Sequence, residues 1–308
     1  MTKRLLAIVV GLALALGSGA AATAATVVVT PSNTDGWTAV HESCNAVPTT
    51  GSQAFVNGPG TPPAGSGSYE FRIGANPQSY ETFRQKDYNG TKLSSLTSLG
   101  YWTYVQQFGQ GSSGQAPYID LYVDNNNDGV SDDTLTFEPI YQTGTYSGDA
   151  VPNQGAVALN TWQRWDALHG GWWSDNAGNG GPPLVTLAHY IADHPDARVA
   201  ASQPGGFLLS TGCGGTWMNF VGNADALTIG VNGNSTTYDF ELAAATAGPP
   251  TSKAQCKKGG WRQFTNPSFK NQGQCVSYVN HHNGKGKDDE KAGKANHDNG
   301  RHRGEHKK

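Results

Sequence analysis

Residues 118–139 constrain the fold more than any other segment, because their pattern predicts a β-hairpin. They read YIDLYVDNNNDGVSDDTLTFEP. An apolar residue recurs at every second position from Ile119 to Val123 and again from Leu135 to Phe137. A period of two on both sides of a glycine-containing turn indicates two strands that share one buried face. The segment therefore predicts an all-β fold.

The turn of this hairpin places oxygen-bearing residues at alternate positions, a spacing typical of loops that bind calcium. The predicted ligands are the side chains of Asp124, Asn126, Asp128 and Asp132 and the carbonyl group of Val130. Gly129 would supply the sharp bend, as in the first half of an EF-hand loop. The pattern departs from an EF-hand at Leu135, where the bidentate Glu belongs, and its flanks are strands. The alternative is that Asn, Asp and Gly only build a tight turn.

Composition and turn spacing extend the all-β prediction to most of the chain. The 308 residues include 41 Gly but only 15% charged residues, which suits short strands joined by turns. Roughly ten strand-like segments predict a two-sheet antiparallel β-sandwich or jelly roll. One short helix is predicted over 184–193, with Pro182-Pro183 at its start and Pro195 beyond its end.

The first residues have the pattern of a secretory signal peptide. Lys3 and Arg4 precede an apolar run from Leu5 to Leu16, and small residues follow as far as Ala24. The run of about 12 residues is shorter than the ~20 that a transmembrane helix needs, so a membrane anchor is the weaker alternative. We therefore predict a signal peptide over 1–24, a secreted protein and no membrane span.

The four cysteines predict two disulfides, because disulfide bonds persist in exported proteins. Four cysteines allow three pairings. We favour Cys44–Cys213 and Cys256–Cys275, since each pair then closes its own unit. A zinc site is the alternative, but the sequence contains no Cys-x-x-Cys pair.

Charge and composition predict four units after the signal peptide. They are a sandwich domain over 25–245, a linker over 246–252, a small disulfide-closed module over 253–280 and a disordered, His- and Lys-rich tail over 281–308. The sandwich carries 19 acidic and 6 basic side chains, whereas residues 248–280 carry five basic and no acidic ones. The chain thus has an acidic body and a basic end.

The basic end predicts contact with anionic polymers such as cell-wall polyanions. The residues proposed for this contact are Lys257, Lys258, Arg262 and Lys270. The alternative is that their charge serves solubility or attraction to the acidic body. Nucleic acid is not the expected partner, and the His-rich tail is expected to take up transition metals only weakly.

Four tryptophans between residues 162 and 173 have two interpretations. They are Trp162, Trp165, Trp172 and Trp173. One interpretation is an aromatic platform that stacks on sugar rings. The other, which we favour, is that large aromatic side chains fill the core of the sandwich or its rim.

Sequence motifs of enzymes are missing. The chain has no Gly-x-Ser-x-Gly and no His-Glu-x-x-His, and the literal G-x-G-x-x-G at 109–114 is followed by a strand instead of the helix that a dinucleotide site requires. A pair of glycosidase carboxylates would have to be assembled in space from Glu70, Glu138, Asp120 or Asp124. The Glu-x-Asp-x-x-Glu strand pattern of many sandwich glucanases is absent.

Two parts of the chain resemble known groups of proteins. The first part resembles exported bacterial proteins of unassigned function. The resemblance is carried by the hairpin and by the segments YEFRIG (69–74), GTKLSSL (90–96), WQRWDAL (162–168) and NADALTIGVNG (223–233). That resemblance implies a concanavalin-like β-sandwich. Residues 256–279 resemble a short two-cysteine module found at the C-terminus of various exported bacterial proteins. Neither resemblance implies catalytic residues.

Together these patterns predict a secreted, non-catalytic β-sandwich that binds a glycan or cell-surface polymer and holds a structural calcium ion. A secreted hydrolase acting on polysaccharide is the alternative, and a surface-structural protein without a small ligand is a third. The sequence does not indicate an oligomeric state, and a fold class alone does not specify a ligand.

Overall fold

Two packed β-sheets form the framework of the described part of the chain. The computed structural model describes residues 24–202, 205–242, 248–257, 260–264 and 266–283. In chain order the strands in these ranges are β1 (Ala24–Val29), β2 (Thr38–Ser43), β3 (Ser52–Asn57), β4 (Gly67–Arg72), β5 (Ser79–Gln85), β6 (Leu96–Gln107), β7 (Tyr118–Asp124), β8 (Asp133–Phe137), β9 (Trp162–Asp166), β10 (Gly171–Ser174), β11 (Val185–Thr186), β12 (Arg198–Val199), β13 (Phe207–Gly212), β14 (Val221–Val231) and β15 (Asn234–Phe240). The helices are α1 (Leu187–Asp193), α2 (Lys253–Cys256) and α3 (Gln272–Asn283).

The first sheet has seven strands and is centred on the long strand β14. Its order is β1-β15-β14-β4-β3, and β6 pairs with β14 on the other side and with β9 beyond it. Strand β1 runs parallel to β15, with Ala24 opposite Ser235. The other strand pairs of this sheet are antiparallel. The predicted sandwich is confirmed, with this one parallel pair as the difference.

The second sheet has eight strands and contains the predicted hairpin. Its order is β11-β10-β8-β7-β13-β5-β2, and β12 also pairs with β7. In the hairpin, Ile119 lies opposite Phe137 and Leu121 lies opposite Leu135. These four side chains are buried in the core, so the predicted hairpin and its buried face are confirmed.

The core between the two sheets is rich in aromatic rings. The ring of Phe83 stacks on Tyr69 and on Trp37, with centroids 3.8 Å and 4.9 Å apart. Phe240 from the first sheet contacts Phe83 from the second with centroids 5.6 Å apart. Each such ring removes about 150–250 Å² from water. We therefore expect Phe83→Ala to destabilise the fold by about 3–5 kcal/mol.

The chain crosses from one sheet to the other within residues 162–174. Strand β9 belongs to the first sheet and β10 to the second, and the turn between them contains Gly170. Any Cβ at Gly170 would overlap the Phe137 ring, so a residue without a side chain is needed at this close approach. Because of this crossing, Trp162 and Trp165 belong to the first sheet, and Trp172 and Trp173 belong to the second.

Helix α1 begins three residues later than predicted, because residues 185–186 form β11 beside β10. Thr186 is the N-cap, and its hydroxyl accepts a hydrogen bond from the N–H of His189. The Asp149 carboxylate in turn accepts the N–H of Thr186 at 2.8 Å. This bond is the main reason that the pKa of Asp149 lies below its ordinary value. A strand partner and a cap, and not the prolines, thus set the start of the helix.

Both predicted disulfides are present, Cys44–Cys213 in the sandwich and Cys256–Cys275 in the small module. The first closes a loop with a sequence separation of 169 residues, for which chain entropy predicts roughly 5 kcal/mol of stabilisation. The module has its own core, in which Phe264 and Val279 pack with the second disulfide. Helix α3 continues to Asn283 and so enters the segment predicted as tail. The predicted signal peptide up to residue 23 and the tail from residue 284 lie outside the described residues.

The described helices are too short or too polar to span a bilayer.

Candidate functional site

A cleft of about 470 Å³ lies on the outer face of the eight-stranded sheet. Along β7 and β8 the side chains that line it alternate with those that enter the core, because successive residues of a strand point to opposite faces. The cleft combines aromatic rings, carboxyl groups and hydroxyl groups. Its lining consists of Tyr80, Tyr118, Tyr122, Tyr141, Trp173 and Trp217, of Asp120, Glu138 and Asp175, of Thr134, Thr136 and Thr216, and of Gly180, Gly212, Gly214 and the disulfide Cys44–Cys213.

Asp120 lies on β7 at the floor of the cleft and is 4% exposed. Its two carboxylate oxygens each accept a hydroxyl: Tyr80 donates to Oδ2 at 2.6 Å and Thr136 donates to Oδ1 at 2.6 Å. Desolvation raises the pKa of Asp120 above its ordinary value, and these hydrogen bonds oppose the rise because they favour the charged form. The side chain is therefore held from the adjacent strand β8 on one side and from β5, beyond β13, on the other.

Glu138 directly follows β8 and faces the same cleft. The indole N–H of Trp173, on the adjacent strand β10, donates to Oε2 of Glu138 at 2.9 Å. Desolvation raises the pKa of Glu138 to about 7; the Trp173 hydrogen bond opposes this rise, and the nearby Asp120 adds to it. A fraction of Glu138 is thus protonated at neutral pH.

Asp175 is the third carboxyl group of the cleft. It begins a short 3-10 turn over Asp175–Ala177, which Ser174 caps by accepting the N–H of Asn176. Desolvation raises the pKa of Asp175, and the proximity of Asp133 adds to the rise, while a hydrogen bond with Thr134 opposes it. The cleft therefore carries three carboxyl groups, and its lining contains no Lys, Arg or His.

The tyrosines of the cleft keep their protons at ordinary pH. Desolvation raises the pKa of Tyr80 well above its usual range, and the Asp120 carboxylate adds to this. The pKa of Tyr122 rises to about 12 for the same two reasons, desolvation first. Tyr141 packs edge-on against Tyr146, with ring centroids 4.9 Å apart, and Tyr146 is one of the more exposed large side chains. These rings supply flat apolar faces with hydroxyl donors at their edges.

The four tryptophans occupy three different places. Trp165 and Trp172 are fully buried in the core between the sheets. Trp162 lies on the outer face of the seven-stranded sheet, where its ring contacts Tyr104 and its indole N–H donates to the carbonyl of Pro59 at 2.9 Å. Trp173 lines the cleft. A common platform of four rings is therefore not formed, since β9 and β10 belong to different sheets and each strand alternates its side chains.

The four candidate carboxylates are also separated. Asp120 and Glu138 share the cleft, whereas Glu70 lies on β4 of the other sheet, where Arg72 donates to it at 2.6 Å. Asp124 ends β7 and turns into the hairpin loop. Two of the four candidates are thus brought together.

The hairpin turn is closed by its own acidic side chains. Asp124 Oδ1 accepts the N–H groups of Asn126 and Asn127 at 3.1 Å and 2.6 Å, and Oδ2 accepts the N–H of Gly129 at 2.8 Å. Asn127 and Gly129 have φ angles of 62° and 88°, in the left-handed region that Asn and Gly tolerate. The bend at Gly129 is therefore where the spacing predicted it.

The other predicted calcium ligands take part in similar contacts. Asn126 Oδ1 accepts the N–H of Asp128, Asp128 Oδ1 accepts the N–H of Val130, and Asp132 Oδ2 accepts the N–H of Asn125 at 2.7 Å. Across the described ranges, no group of three or more His, Cys, Asp or Glu side chains is arranged to hold a metal ion. Two of the predicted ligands, the Asn126 amide and the Val130 carbonyl, are of other kinds than those four side chains. Calcium binding therefore stays a prediction.

The basic residues of the small module are only partly described. Lys257 and Lys270 are exposed. Lys258 and the side chain of Arg262 lie outside what the structure describes. The polyanion interpretation of the module therefore stays a prediction.

Sequence reasoning missed Asp175, Tyr80, Tyr141 and Trp217 as cleft residues. Tyr80 lies on β5, which β13 separates from β7, so the hairpin pattern does not place it beside Asp120. Asp175 and Trp217 lie outside strands, and their position depends on how loops fold over the sheet. No local pattern signals that arrangement.

Comparison of the chain with known protein families, with curated proteins and with solved structures finds no match.

Proposed function

We propose that the protein is exported and binds a glycan in the cleft of the eight-stranded sheet. The observation that carries the proposal is the lining of the cleft, where the Trp173 ring and several tyrosines stand beside carboxyl and hydroxyl groups. Sugar rings have apolar faces that stack on aromatic side chains and hydroxyl groups that pair with carboxylates. A cavity of about 470 Å³ falls in the usual range for small-molecule and oligosaccharide sites.

The charge of the cleft favours an uncharged glycan. Three carboxyl groups line it without a basic residue among the lining side chains. Residues 25–245 as a whole carry 19 acidic and 6 basic side chains. A polyanion would meet repulsion there and would lack an Arg or Lys partner. Neutral polysaccharides are therefore the proposed ligand class.

Export is supported by the N-terminal pattern and by the two disulfides, which are compatible with an oxidising compartment. The resemblance to exported bacterial sandwich proteins supports the same proposal. Mass spectrometry of the protein recovered from culture medium should give an N-terminus close to Ala25. Recovery of the protein in the cell fraction alone, with residues 1–24 intact, would contradict export.

The binding proposal is tested by pull-down with insoluble polysaccharides and isolated cell walls. We expect retention on at least one neutral polysaccharide and about tenfold weaker binding for Trp173→Ala, because loss of one stacked ring costs roughly 1.4 kcal/mol. The matched control is Trp162→Ala, which removes the same side chain from the outer face of the other sheet. Both variants are first compared with the wild type in thermal unfolding.

Retention on none of these polymers would refute the proposal. Loss of binding in Trp162→Ala with normal binding in Trp173→Ala would place the ligand on the opposite sheet and would equally refute the cleft as the site.

A further inference from the structure

We propose that the cleft hydrolyses glycosidic bonds of a neutral polysaccharide, with Glu138 as general acid and Asp120 as general base. The inference rests on the proposed glycan binding and adds a reaction to it. It comes from the positions of two carboxyl groups on neighbouring strands and from the different hydrogen bonds that hold them.

The hairpin register places the two groups side by side on one face. Asp120 lies directly opposite Thr136 in the β7–β8 ladder, and Glu138 is two residues further along the chain, directly after the end of β8. Diagonal neighbours of this kind have Cβ atoms about 7 Å apart. Inverting glycosidases, in which a general base activates the attacking water, place their two carboxyl groups about 6.5–9.5 Å apart. Both side chains line the cleft, so both carboxyl groups face a sugar bound there.

Glu138 has the surroundings of a proton donor. The indole N–H of Trp173 occupies Oε2 and fixes the orientation of the carboxyl group. Within the described part of the chain, no hydrogen bond occupies Oε1, so this oxygen is available to carry a proton into the cleft. The pKa of about 7, raised chiefly by desolvation, keeps part of the group protonated at neutral pH. Acid catalysis requires such a proton.

Asp120 has the surroundings of a proton acceptor. Hydroxyl groups of Tyr80 and Thr136 donate to its two oxygens, which leaves no carboxyl oxygen in the position of a donor. Tyr80 retains its proton because desolvation and the neighbouring Asp120 raise its pKa well above the usual range. Each oxygen of a carboxylate has a second lone pair. One of these can accept the proton of an attacking water.

The reaction balances with water as the only co-reactant. The Glu138 proton passes to the glycosidic oxygen as the bond between that oxygen and the anomeric carbon breaks. The oxygen of a water molecule bonds to the anomeric carbon and gives one proton to Asp120. The products are two shorter chains, one of which has a new reducing end. Exchange with solvent then returns the proton from Asp120 to Glu138.

The test measures reducing-end release from laminarin, mixed-linkage β-glucan, xylan and galactomannan, together with binding to each. We expect release from a polysaccharide that the wild type binds. Glu138→Gln and Asp120→Asn should each lower the rate about 10²- to 10⁴-fold, the usual contribution of a positioned acid or base. Both variants should retain binding within a few-fold. The matched control is Glu70→Gln, whose carboxylate pairs with Arg72 on the other sheet and which should keep the wild-type rate.

A second substrate separates a catalytic role from a structural one. A 4-nitrophenyl glycoside of the same sugar has a leaving group that needs little protonation. We therefore expect Glu138→Gln to recover most of its activity on this substrate, while Asp120→Asn stays inactive. Equal losses of Glu138→Gln on both substrates would overturn the assignment of Glu138 as acid.

The outcomes distinguish this inference from the binding proposal. Binding without reducing-end release from any retained polysaccharide would overturn hydrolysis and leave the binding proposal standing. Release that survives in both variants would overturn the assignment of the two carboxyl groups. Absence of binding to every polymer would overturn both proposals together.

Discussion

Each sheet carries a group of three acidic side chains on its outer face, but only one of these groups opens onto a cleft. On the seven-stranded sheet the group consists of Asp225, Asp239 and Glu241, and on the eight-stranded sheet of Asp120, Glu138 and Asp175. In β15, Asp239 alternates with the core residues Tyr238 and Phe240, so it points outward. The two groups thus arise from the same period-two alternation in different sheets.

The loop before β4 covers the acidic group of the seven-stranded sheet. Glu241 accepts the N–H of Ser66, the hydroxyl of Ser66 at 3.0 Å and the N–H of Gly67 at 3.0 Å. Asp225 accepts the N–H groups of Ala64 and Phe240. A Cβ at Gly65 would overlap the Glu241 carboxylate, which shows how closely the loop approaches. Backbone donors and the Ser66 hydroxyl thus satisfy Glu241 and Asp225, which act as fasteners of the loop. Within the described ranges, Oδ1 of Asp239 has no hydrogen-bond partner.

The cleft group is held by side-chain donors instead, from Tyr80, Thr136 and Trp173. Desolvation raises carboxyl pKa values in both places, to about 8 for Asp225 and about 7 for Glu138. A raised pKa therefore does not by itself distinguish a binding site from a structural contact. The distinguishing feature is what covers the acids: a loop of the chain in one case, and an open cavity in the other.

Between the two acidic groups, the larger loss of stability is expected for the loop-covered one. Glu241→Ala would leave buried N–H groups of Ser66 and Gly67 without an acceptor, and we expect the free energy of unfolding to fall by about 3 kcal/mol. Chemical denaturation measures this change. The contrasting variant is Glu138→Gln, which we expect to lose little stability at pH 6 because its amide oxygen still accepts the Trp173 N–H. Equal losses in the two variants would remove the distinction between fastener and cleft residue.

The next effect concerns pH. A carboxyl group whose pKa is higher in the folded than in the unfolded protein stabilises the fold below its unfolded pKa, and this contribution is lost as the pH rises through the folded value. For Glu138 the pH window runs from the ordinary glutamate pKa of 4.5 to the raised pKa of about 7. The wild type should therefore lose unfolding free energy as the pH rises from 4.5 to 8. In Glu138→Gln we expect this loss to be about 2 kcal/mol smaller, after allowance for solvent screening. Identical pH profiles for the two proteins would show that Glu138 is not desolvated in the fold.

The sequence predicts one of these two faces far better than the other. The alternation around residues 118–139 is local, so it correctly places Asp120 and Glu138 on one face opposite the core residues Ile119 and Phe137. The fasteners join residues that lie far apart in sequence. Ala64 is separated by 161 positions from Asp225, and no local pattern brings them together.

The tryptophans show the same limit. Alternation along each strand explains why Trp172 is buried and Trp173 faces the cleft. The assignment of β9 and β10 to different sheets depends on long-range pairing with β6 and β8. Local spacing could therefore predict that Trp172 and Trp173 point to opposite faces of their strand. It could not predict which sheet that strand joins.

The last expected effect, similar in size to that of pH, is that of calcium on the hairpin turn, which joins two strands of the cleft sheet. If calcium binds the predicted ligands with the ~0.1–1 mM affinity of extracellular modules, 10 mM calcium would stabilise the fold by roughly 1.4–2.7 kcal/mol. The melting temperature should then exceed that in chelator by a few degrees, and Asp128→Ala should abolish the difference. The seven-stranded sheet offers the control, since Glu241→Ala lies away from the turn and should keep the calcium shift. Equal melting temperatures with calcium and chelator would show that Asp124 closes this turn through backbone N–H groups alone.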